Sequence, residues 1–150
     1  MYWIFDKWLW KWLPIGFYPD LNGKWSGVIE FREESPRPSA DITLTIAQTF
    51  STLLVESETE ATLGGSMCGA LLSDGANRME LRYSYRASFK PKVKDKIAQT
   101  GKPANLQDHV GFCVLVVDPK NKNSLIGSYF TDAPLKSSGS IVLHRKPEPA

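Results

Sequence analysis

Tyrosines at alternate positions, together with a threonine and a histidine, are the residues best suited to chemistry in this sequence. Tyr83 and Tyr85 are two residues apart, as are Tyr129 and Thr131, and His109 follows a lysine-rich stretch. Residues two apart point to the same side of a β-strand. On the inner face of a barrel, such rings and hydroxyls could stack on a flat polar ligand and hydrogen-bond to it. The same tyrosines could equally pack a core, because tyrosine is common in strands.

The motifs of common catalytic sites are absent from the sequence. The stretch GGSMC departs from the nucleophile elbow G-x-S-x-G at its last residue, Cys68. There is no phosphate-binding Gly-Lys-Ser/Thr loop, no dinucleotide-binding GxGxxG, and no histidine pair at helical spacing. His109 and His144 have no cysteine or acidic residue at a spacing typical of metal sites. We therefore expect a protein that is not an enzyme and that binds no metal or cofactor.

Alternating apolar and polar residues predict eight strands. The clearest is 40–50, where Ile42, Leu44 and Ile46 alternate with threonines, and turn residues separate most of the segments. The predicted strands are 23–32, 40–50, 52–60, 63–73, 77–88, 109–118, 124–132 and 139–145. Short connections favour an all-β fold, a compact eight-stranded up-and-down antiparallel barrel. Such a barrel has an interior just large enough for one small ligand.

One connection, 89–108, is predicted to be a loop of about twenty residues, which is typical of functional lids or disordered segments. Its lysines are Lys90, Lys92, Lys94, Lys96 and Lys102. They contribute to a net charge of +7 over residues 76–150, against −5 over residues 1–75. The lysines form either a solvated charged segment or a rim that attracts phosphate groups.

The N-terminal stretch MYWIFDKWLWKWLP contains four of the five tryptophans of the chain. Tryptophan beside lysine is typical of the membrane–water interface, although an aromatic helix packed on the domain would have the same composition. No run of 18 apolar residues follows it. The expected organisation is a neck over 1–20, a barrel domain over 21–146 and a tail over 147–150. Cys68 and Cys113 lie in apolar runs, so both are expected to be buried and reduced.

Two short signals resemble lipocalins. Gly23-Lys24-Trp25 in the first strand and Arg145 in the last are similar to the G-x-W motif and closing arginine that plug one end of a lipocalin barrel. This resemblance implies architecture more than function. It leaves open a lipocalin-like carrier of a hydrophobic small molecule, and also a structural or oligomerisation module whose barrel is filled by its own side chains.

A broader resemblance covers nearly the whole chain. The segments WLPIGFYPDLNGKWSGVIEF, LRYSYRASFKP, DHVGFCVLVVD, SLIGSYFTD and GSIVLHR occur in the order and at the spacing of one family. They resemble the SMODS-associated two-transmembrane, strand-rich effectors of bacterial CBASS antiphage operons. In that family two transmembrane helices precede a Trp/Pro-rich segment and an eight-stranded barrel that recognises a cyclic oligonucleotide. The present sequence lacks the two transmembrane helices.

This second resemblance implies a cyclic-oligonucleotide receptor whose partner is a cyclic di- or trinucleotide. The bases would stack on Tyr83, Tyr85 or Tyr129, and Thr131 and His109 would hydrogen-bond base edges or phosphate. Arg86 and Lys90 would neutralise phosphate charge near the mouth of the barrel. Arg86 directly follows Tyr85, however, and this position places it on the opposite face of the strand.

At the level of the whole protein, the same resemblance implies ligand-promoted self-association and disruption of the bacterial inner membrane. The barrel would be cytoplasmic and residues 1–14 would form the juxtamembrane neck. The parent protein would be held in the membrane by helices missing from this chain, which by itself is expected to be soluble.

Overall fold

Strands account for most of the regular structure. The computed structural model describes residues 18–32, 38–73, 78–100, 107–132 and 136–147, together with Ile4 and Asp6 near the N-terminus. The elements in these ranges are β1 (Gly23–Phe31), β2 (Ser39–Gln48), β3 (Leu53–Thr59), β4 (Thr62–Ser73), β5 (Met79–Phe89), α1 (Pro91–Gln99), β6 (His109–Val117), β7 (Ser124–Thr131) and β8 (Ser138–Arg145). All eight predicted strands are present, with ends that differ by at most two residues.

The strands close into a barrel in chain order. Each strand pairs antiparallel with its sequence neighbours, and β8 returns to pair with β1, where Trp25 lies opposite Arg145 and Ile29 opposite Ile141. Because the barrel is closed, neither the first nor the last strand has an unpaired edge. An unpaired edge could hydrogen-bond to a strand of another chain. The predicted eight-stranded up-and-down antiparallel barrel is confirmed.

Hydrophobic burial on alternate residues sets the register of the strands. On β2 the side chains of Ile42, Leu44 and Ile46 are buried, whereas Thr43 and Thr45 between them are partly exposed. A slip of one residue would turn the whole apolar set toward water. Because burial contributes about 25 cal/mol per Å² of apolar surface, that slip is strongly disfavoured.

One end of the barrel is filled by a tryptophan and an arginine. Trp25 and Leu21 are fully buried, and the Trp25 indole N–H donates to the Leu21 carbonyl over 3.0 Å. The Arg145 guanidinium lies over the Trp25 ring, 4.4 Å from its centroid, and donates to the carbonyls of Asn22 and Asp20. This closed end has the Trp–Arg plug that the sequence implied.

The connection predicted as a loop contains a helix. Residues 91–99 form α1, which begins with Pro91 in its first turn, where the fixed φ of proline suits a helix. Val93 and Ile97, four residues apart, are partly buried, but no residue of α1 is fully buried. The prediction of a loop was wrong here because the helix has few apolar residues, and the lysines at alternate positions obscure their helical spacing in the sequence.

A bulge in β4 changes which side chains face outward. The β4–β5 register shifts between Ser66 and Cys68, so that Cys68 lies opposite Ser84 with its Sγ 3.0 Å from the Ser84 Oγ. Cys113 is buried and Cys68 is exposed. The expected burial is therefore confirmed for Cys113 and wrong for Cys68, since the extra residue at a bulge turns the following side chains to the other face.

The predicted neck lies mostly outside the described residues, as do residues 101–106 of the connection and 148–150 of the tail. Within the neck, the carbonyl of Asp6 accepts from the Phe50 N–H and its carboxylate accepts from the Ser51 N–H. Asp6 therefore contacts the β2–β3 turn at the closed end. In the described ranges no helix is both long enough and apolar enough to cross a bilayer.

Candidate functional site

A cavity of about 820 Å³ occupies the end of the barrel opposite Trp25. Its walls come from the inward faces of the strands, and its lining continues to the strand ends at Phe31, Phe89, His109 and Thr131. The cavity therefore opens at the end where the β1–β2, β3–β4, β5–β6 and β7–β8 connections lie. The barrel is filled at one end and accessible at the other.

Tyrosine rings form much of the cavity wall. Tyr83 and Tyr85 follow each other on β5 with ring centroids 6.1 Å apart, and both line the cavity with Tyr129 of β7. A Cβ on Gly111 would lie 2.5 Å from the Tyr85 hydroxyl, and one on Gly139 would lie 2.8 Å from the Tyr129 ring. These two glycines therefore allow the rings to lie directly against β6 and β8.

The wall formed by the tyrosines is uncharged at neutral pH. Burial raises the pKa of Tyr83 and of Tyr85 well above the usual value for tyrosine. Burial also raises the pKa of the Cys113 thiol, beside Tyr83, to about 12. The hydroxyls and the thiol thus stay protonated, and each hydroxyl can both donate and accept a hydrogen bond.

His109 is a buried polar group of the cavity whose Nδ1 has no hydrogen-bond partner among the described residues. It is the first residue of β6, it is 8% exposed, and its ring centroid lies 5.9 Å from that of Phe89. Burial lowers the pKa of His109, while the Gln107 carbonyl and the Asp108 carboxylate act in the opposite direction. The ring is therefore mainly neutral at pH 7.

Thr131 lines the cavity at the end of β7 and also holds the β7–β8 connection. The Ser137 N–H donates to the Thr131 Oγ1 over 2.8 Å, and the two hydroxyl oxygens are 3.0 Å apart. Ser137 is part of the lining as well. Two linked hydroxyls at the mouth can rearrange to donate to a bound group or accept from it.

The two predicted cationic residues lie outside the cavity lining. Arg86 is exposed on the outer face of β5, opposite Gly65 and Val110. Lys90 follows β5 at the mouth, where its Nζ is 2.7 Å from a Glu58 carboxylate oxygen. This hydrogen bond and charge lower the pKa of Glu58. The structure thus brings five of the seven predicted site residues together and separates Arg86 and Lys90 from them.

Several lining residues were missed by the sequence prediction. Phe31 shares a face with Trp25 and Ile29, so its inward position could have been inferred from alternation. Ser57 and Ala87 also line the cavity but are small, and nothing in their sequence context distinguishes them from packing residues. The described residues contain no group of three or more histidine, cysteine, aspartate or glutamate side chains placed to hold a metal ion.

Comparison with known proteins assigns the whole barrel to one family. A family model described as "Cap15, cyclic dinucleotide receptor domain" matches residues 17–145, which include all eight strands and every residue of the cavity described above. No curated protein gives a significant match. The expected relationship to CBASS antiphage effectors is confirmed. The chain belongs to the Cap15 cyclic dinucleotide receptor domain family.

Proposed function

We propose that this chain binds a cyclic dinucleotide inside the open end of the barrel, with the bases against Tyr83, Tyr85 and Tyr129. The observation that carries this proposal is the cavity of about 820 Å³ walled by three tyrosine rings. Small-molecule sites typically enclose roughly 300–1,000 Å³ and combine apolar walls with a few polar groups. Stacking of a base on an aromatic ring contributes about 1–3 kcal/mol.

In this proposal, His109 and Thr131 provide the polar contacts at the mouth. Both are at strand ends, where the cavity meets solvent, and both carry groups that can bond a phosphate oxygen or a base edge. The buried Nδ1 of His109, which has no hydrogen-bond partner among the described residues, supports this role, since such an atom gains most from a ligand that supplies one.

Arg86 and Lys90 act at longer range in this proposal. Arg86 is on the outer face, and Lys90 would have to leave Glu58 to reach a ligand. Cations near a mouth raise the rate at which an anion arrives, and salt screens this effect. We therefore expect added salt to slow association of a cyclic dinucleotide more than it speeds dissociation, as stopped-flow kinetics would measure.

We further propose that the parent protein is held in the bacterial inner membrane and that ligand binding promotes self-association of its barrels. This self-association then disrupts the membrane. An apolar row on the outer face supports association with a second copy. Ile126 lies opposite Val142, and Val142 opposite Val28, with 48%, 39% and 38% exposure respectively. The rings of Phe112 and Phe130 lie nearby on the same face, 5.8 Å apart.

Sedimentation velocity with and without a bound cyclic dinucleotide tests the association step. We expect ligand to increase the sedimentation coefficient of the wild type and to have no such effect on Ile126→Glu. Leu54→Glu, on the outer face of β3, is the matched control and should behave like the wild type. Ligand-bound wild type that remains monomeric at high concentration would contradict association through the barrel.

A thermal-shift panel tests the ligand class. The panel contains cyclic dinucleotides of adenine, guanine and uracil with both 3′–5′ and 2′–5′ linkages, cyclic trinucleotides and fatty acids. Binding to the native state alone raises stability by about 2.7 kcal/mol at a hundredfold excess over Kd, so we expect a clear rise in Tm with at least one cyclic dinucleotide. A rise with fatty acids and none with any nucleotide would favour the lipocalin-like carrier instead.

A further inference from the structure

We propose that His109 contacts a ligand phosphate and takes up a proton when a cyclic dinucleotide binds. This inference rests on the proposed function and adds the group that compensates the ligand charge. It also makes the affinity of the receptor depend on pH.

The charge of the cavity lining is the first observation. Of the residues that the structure describes, the lining includes the acidic residues Asp41 and Glu60 and the imidazole of His109, but no lysine or arginine, and Asp41 lies in register with outward-facing Val28. A cyclic dinucleotide carries two phosphodiester groups, each of them anionic. Moving an anion out of water without a positive or hydrogen-bonding partner is costly. Within this lining, His109 is the group that can become a cation.

The position of these charges around the barrel is the second observation. Asp41 is on β2 and Glu60 directly follows β3, whereas His109 begins β6, on the other side of the closed strand order. Within the lining, Glu60 repels a phosphate and a protonated His109 attracts it, whereas Asp108 and Asp132, on the same side as His109, lie outside the lining. This arrangement orients the sugar–phosphate ring toward His109.

The state of the His109 side chain is the third observation. Its Nδ1 is buried, it has no hydrogen-bond partner in the described parts of the chain, and it belongs to the cavity lining. Burial lowers the pKa of the free imidazole, whereas an anion in contact with the ring raises it. A ring that is neutral in the free protein can therefore become protonated in the complex.

The other titratable and charged groups around His109 do not replace it in this role. On its own element the nearest is Asp108, which already favours the protonated ring. On β5 is Tyr85, whose hydroxyl stays protonated, and directly after β5 is Lys90, which pairs with Glu58. Directly after β7 is Asp132, whose N–H donates to the Val110 carbonyl. None of these supplies a cation to the cavity.

The direction of the pH dependence follows from one proton taken up on binding. Affinity is highest below the pKa of His109 in the free protein, where the ring is already charged. It falls as the pH rises from that pKa toward the higher pKa of the complex, by at most about tenfold per pH unit. Above the pKa of the complex the affinity becomes constant again.

Calorimetric titration of the full chain with the tightest-binding of cyclic di-AMP, cyclic di-GMP and cyclic AMP–GMP tests this inference. Titrations between pH 5.5 and 8.5, in buffers of different ionisation enthalpy, count the protons exchanged. We expect uptake of up to one proton by the wild type. His109→Gln keeps an amide donor of similar reach and should show neither uptake nor a pH slope. His144→Gln, which changes the other histidine of the chain on the outer face of β8, is the matched control and should behave like the wild type.

The outcomes separate this inference from the proposed function. Binding by the wild type with no proton uptake and no pH slope would overturn the role of His109 and leave the receptor function standing. Unchanged uptake in His109→Gln would overturn it as well. Absence of binding by these three nucleotides and by every other cyclic dinucleotide of the thermal-shift panel, at every pH, would overturn both. If His109→Gln does not fold, NMR titration of the two imidazoles in the wild type decides: we expect ligand to raise the pKa of His109 and not that of His144.

Discussion

Tyr85 is the tyrosine with the most freedom to meet a ligand. Its ring lies against the backbone at Gly111, and it is half-buried, whereas Tyr83 and Tyr129 are almost fully enclosed. The neutral hydroxyl and the flat ring suit a nucleobase, which offers both a π-face and polar edges. Of the three rings, Tyr85 should therefore be the one whose replacement weakens ligand binding most for a given loss of folding stability.

Replacing Tyr85 by leucine should weaken binding of a cyclic dinucleotide roughly 5- to 150-fold, which corresponds to about 1–3 kcal/mol for a lost stacking contact. Tyr85→Phe keeps the ring and should retain most of the affinity. Tyr18→Leu removes an exposed ring near the β2–β3 turn, away from the cavity, and serves as the control. Calorimetry on folded variants measures all three. Equal affinity of Tyr85→Leu and the wild type would show that the bases do not stack there.

At the scale of single residues, the sequence predicts those site residues whose inward position follows from the alternation of apolar and polar residues along a strand. Tyr83, Tyr85, Tyr129 and Thr131 were placed correctly on inward faces because each shares a face with buried apolar neighbours on its strand. Cys68 was not placed correctly, because the bulge in β4 turns it to the outer face. The residue types around it do not indicate a bulge. Whether an outward lysine such as Lys90 meets Glu58 depends on long-range contacts that periodicity does not encode.

At the scale of elements, close contact between strands explains two of the glycines. A Cβ on Gly27 would lie 1.8 Å from the Val142 carbonyl oxygen, and one on Gly127 would lie 1.8 Å from that of Val114. The colliding atoms belong to the backbone of the neighbouring strand and cannot rotate away. A side chain at either position would force β8 from β1, or β6 from β7, and the barrel depends on every such seam.

Gly127→Ala should therefore lower the free energy of unfolding by about 3 kcal/mol or more, at the upper end of the usual cost of overpacking. Gly65→Ala on β4 is the matched control, because a Cβ there meets nothing within 4 Å. We expect that change to stay within about 0.5 kcal/mol. Urea unfolding of both variants gives the comparison. Similar stability of the two alanine variants would mean that the β6–β7 seam opens easily.

The strands were predictable as elements and α1 was not, for a physical reason. In strands such as β2, β5 and β6 an apolar residue recurs at every second position over most of the length. In α1 the partly buried residues are Val93, Lys94 and Ile97, and the charged residues Lys94, Asp95 and Lys96 separate the two apolar ones. Its N-terminal proline suits a helix start but also suits a turn, so local sequence alone does not distinguish the two.

At the scale of the whole molecule, the two ends of the barrel differ: one is filled by side chains and the other holds a cavity. The closed end contains Trp25, Arg145 and the contact with Asp6, and the open end contains the cavity. None of the plug residues Trp25, Arg145 and Asp6 lines the cavity, so changes at the plug should affect folding without reshaping the tyrosine walls. The family match covers both ends of the barrel, and we propose the open end as the place where a cyclic dinucleotide enters.

Arg145→Gln should lower the free energy of unfolding by about 2 kcal/mol, since it removes charge-assisted hydrogen bonds and the cation–π contact with Trp25. The affinity for a cyclic dinucleotide should be unchanged. Arg82→Gln breaks an exposed ion pair with Glu80 and should cost no more than about 1 kcal/mol. Chemical denaturation and calorimetry on the same samples test both statements. A large loss of affinity in Arg145→Gln would mean that the two ends are coupled.

The most direct test of the central claim is an NMR titration of the assigned, isotope-labelled chain with the cyclic dinucleotide that binds it best. We expect the largest amide shifts at Tyr85, His109 and Thr131 around the mouth, and little change at the Trp25 indole N–H in the closed end. Saturable shifts confined to the outer face or to the closed end, with the cavity residues unmoved, would contradict binding inside the barrel.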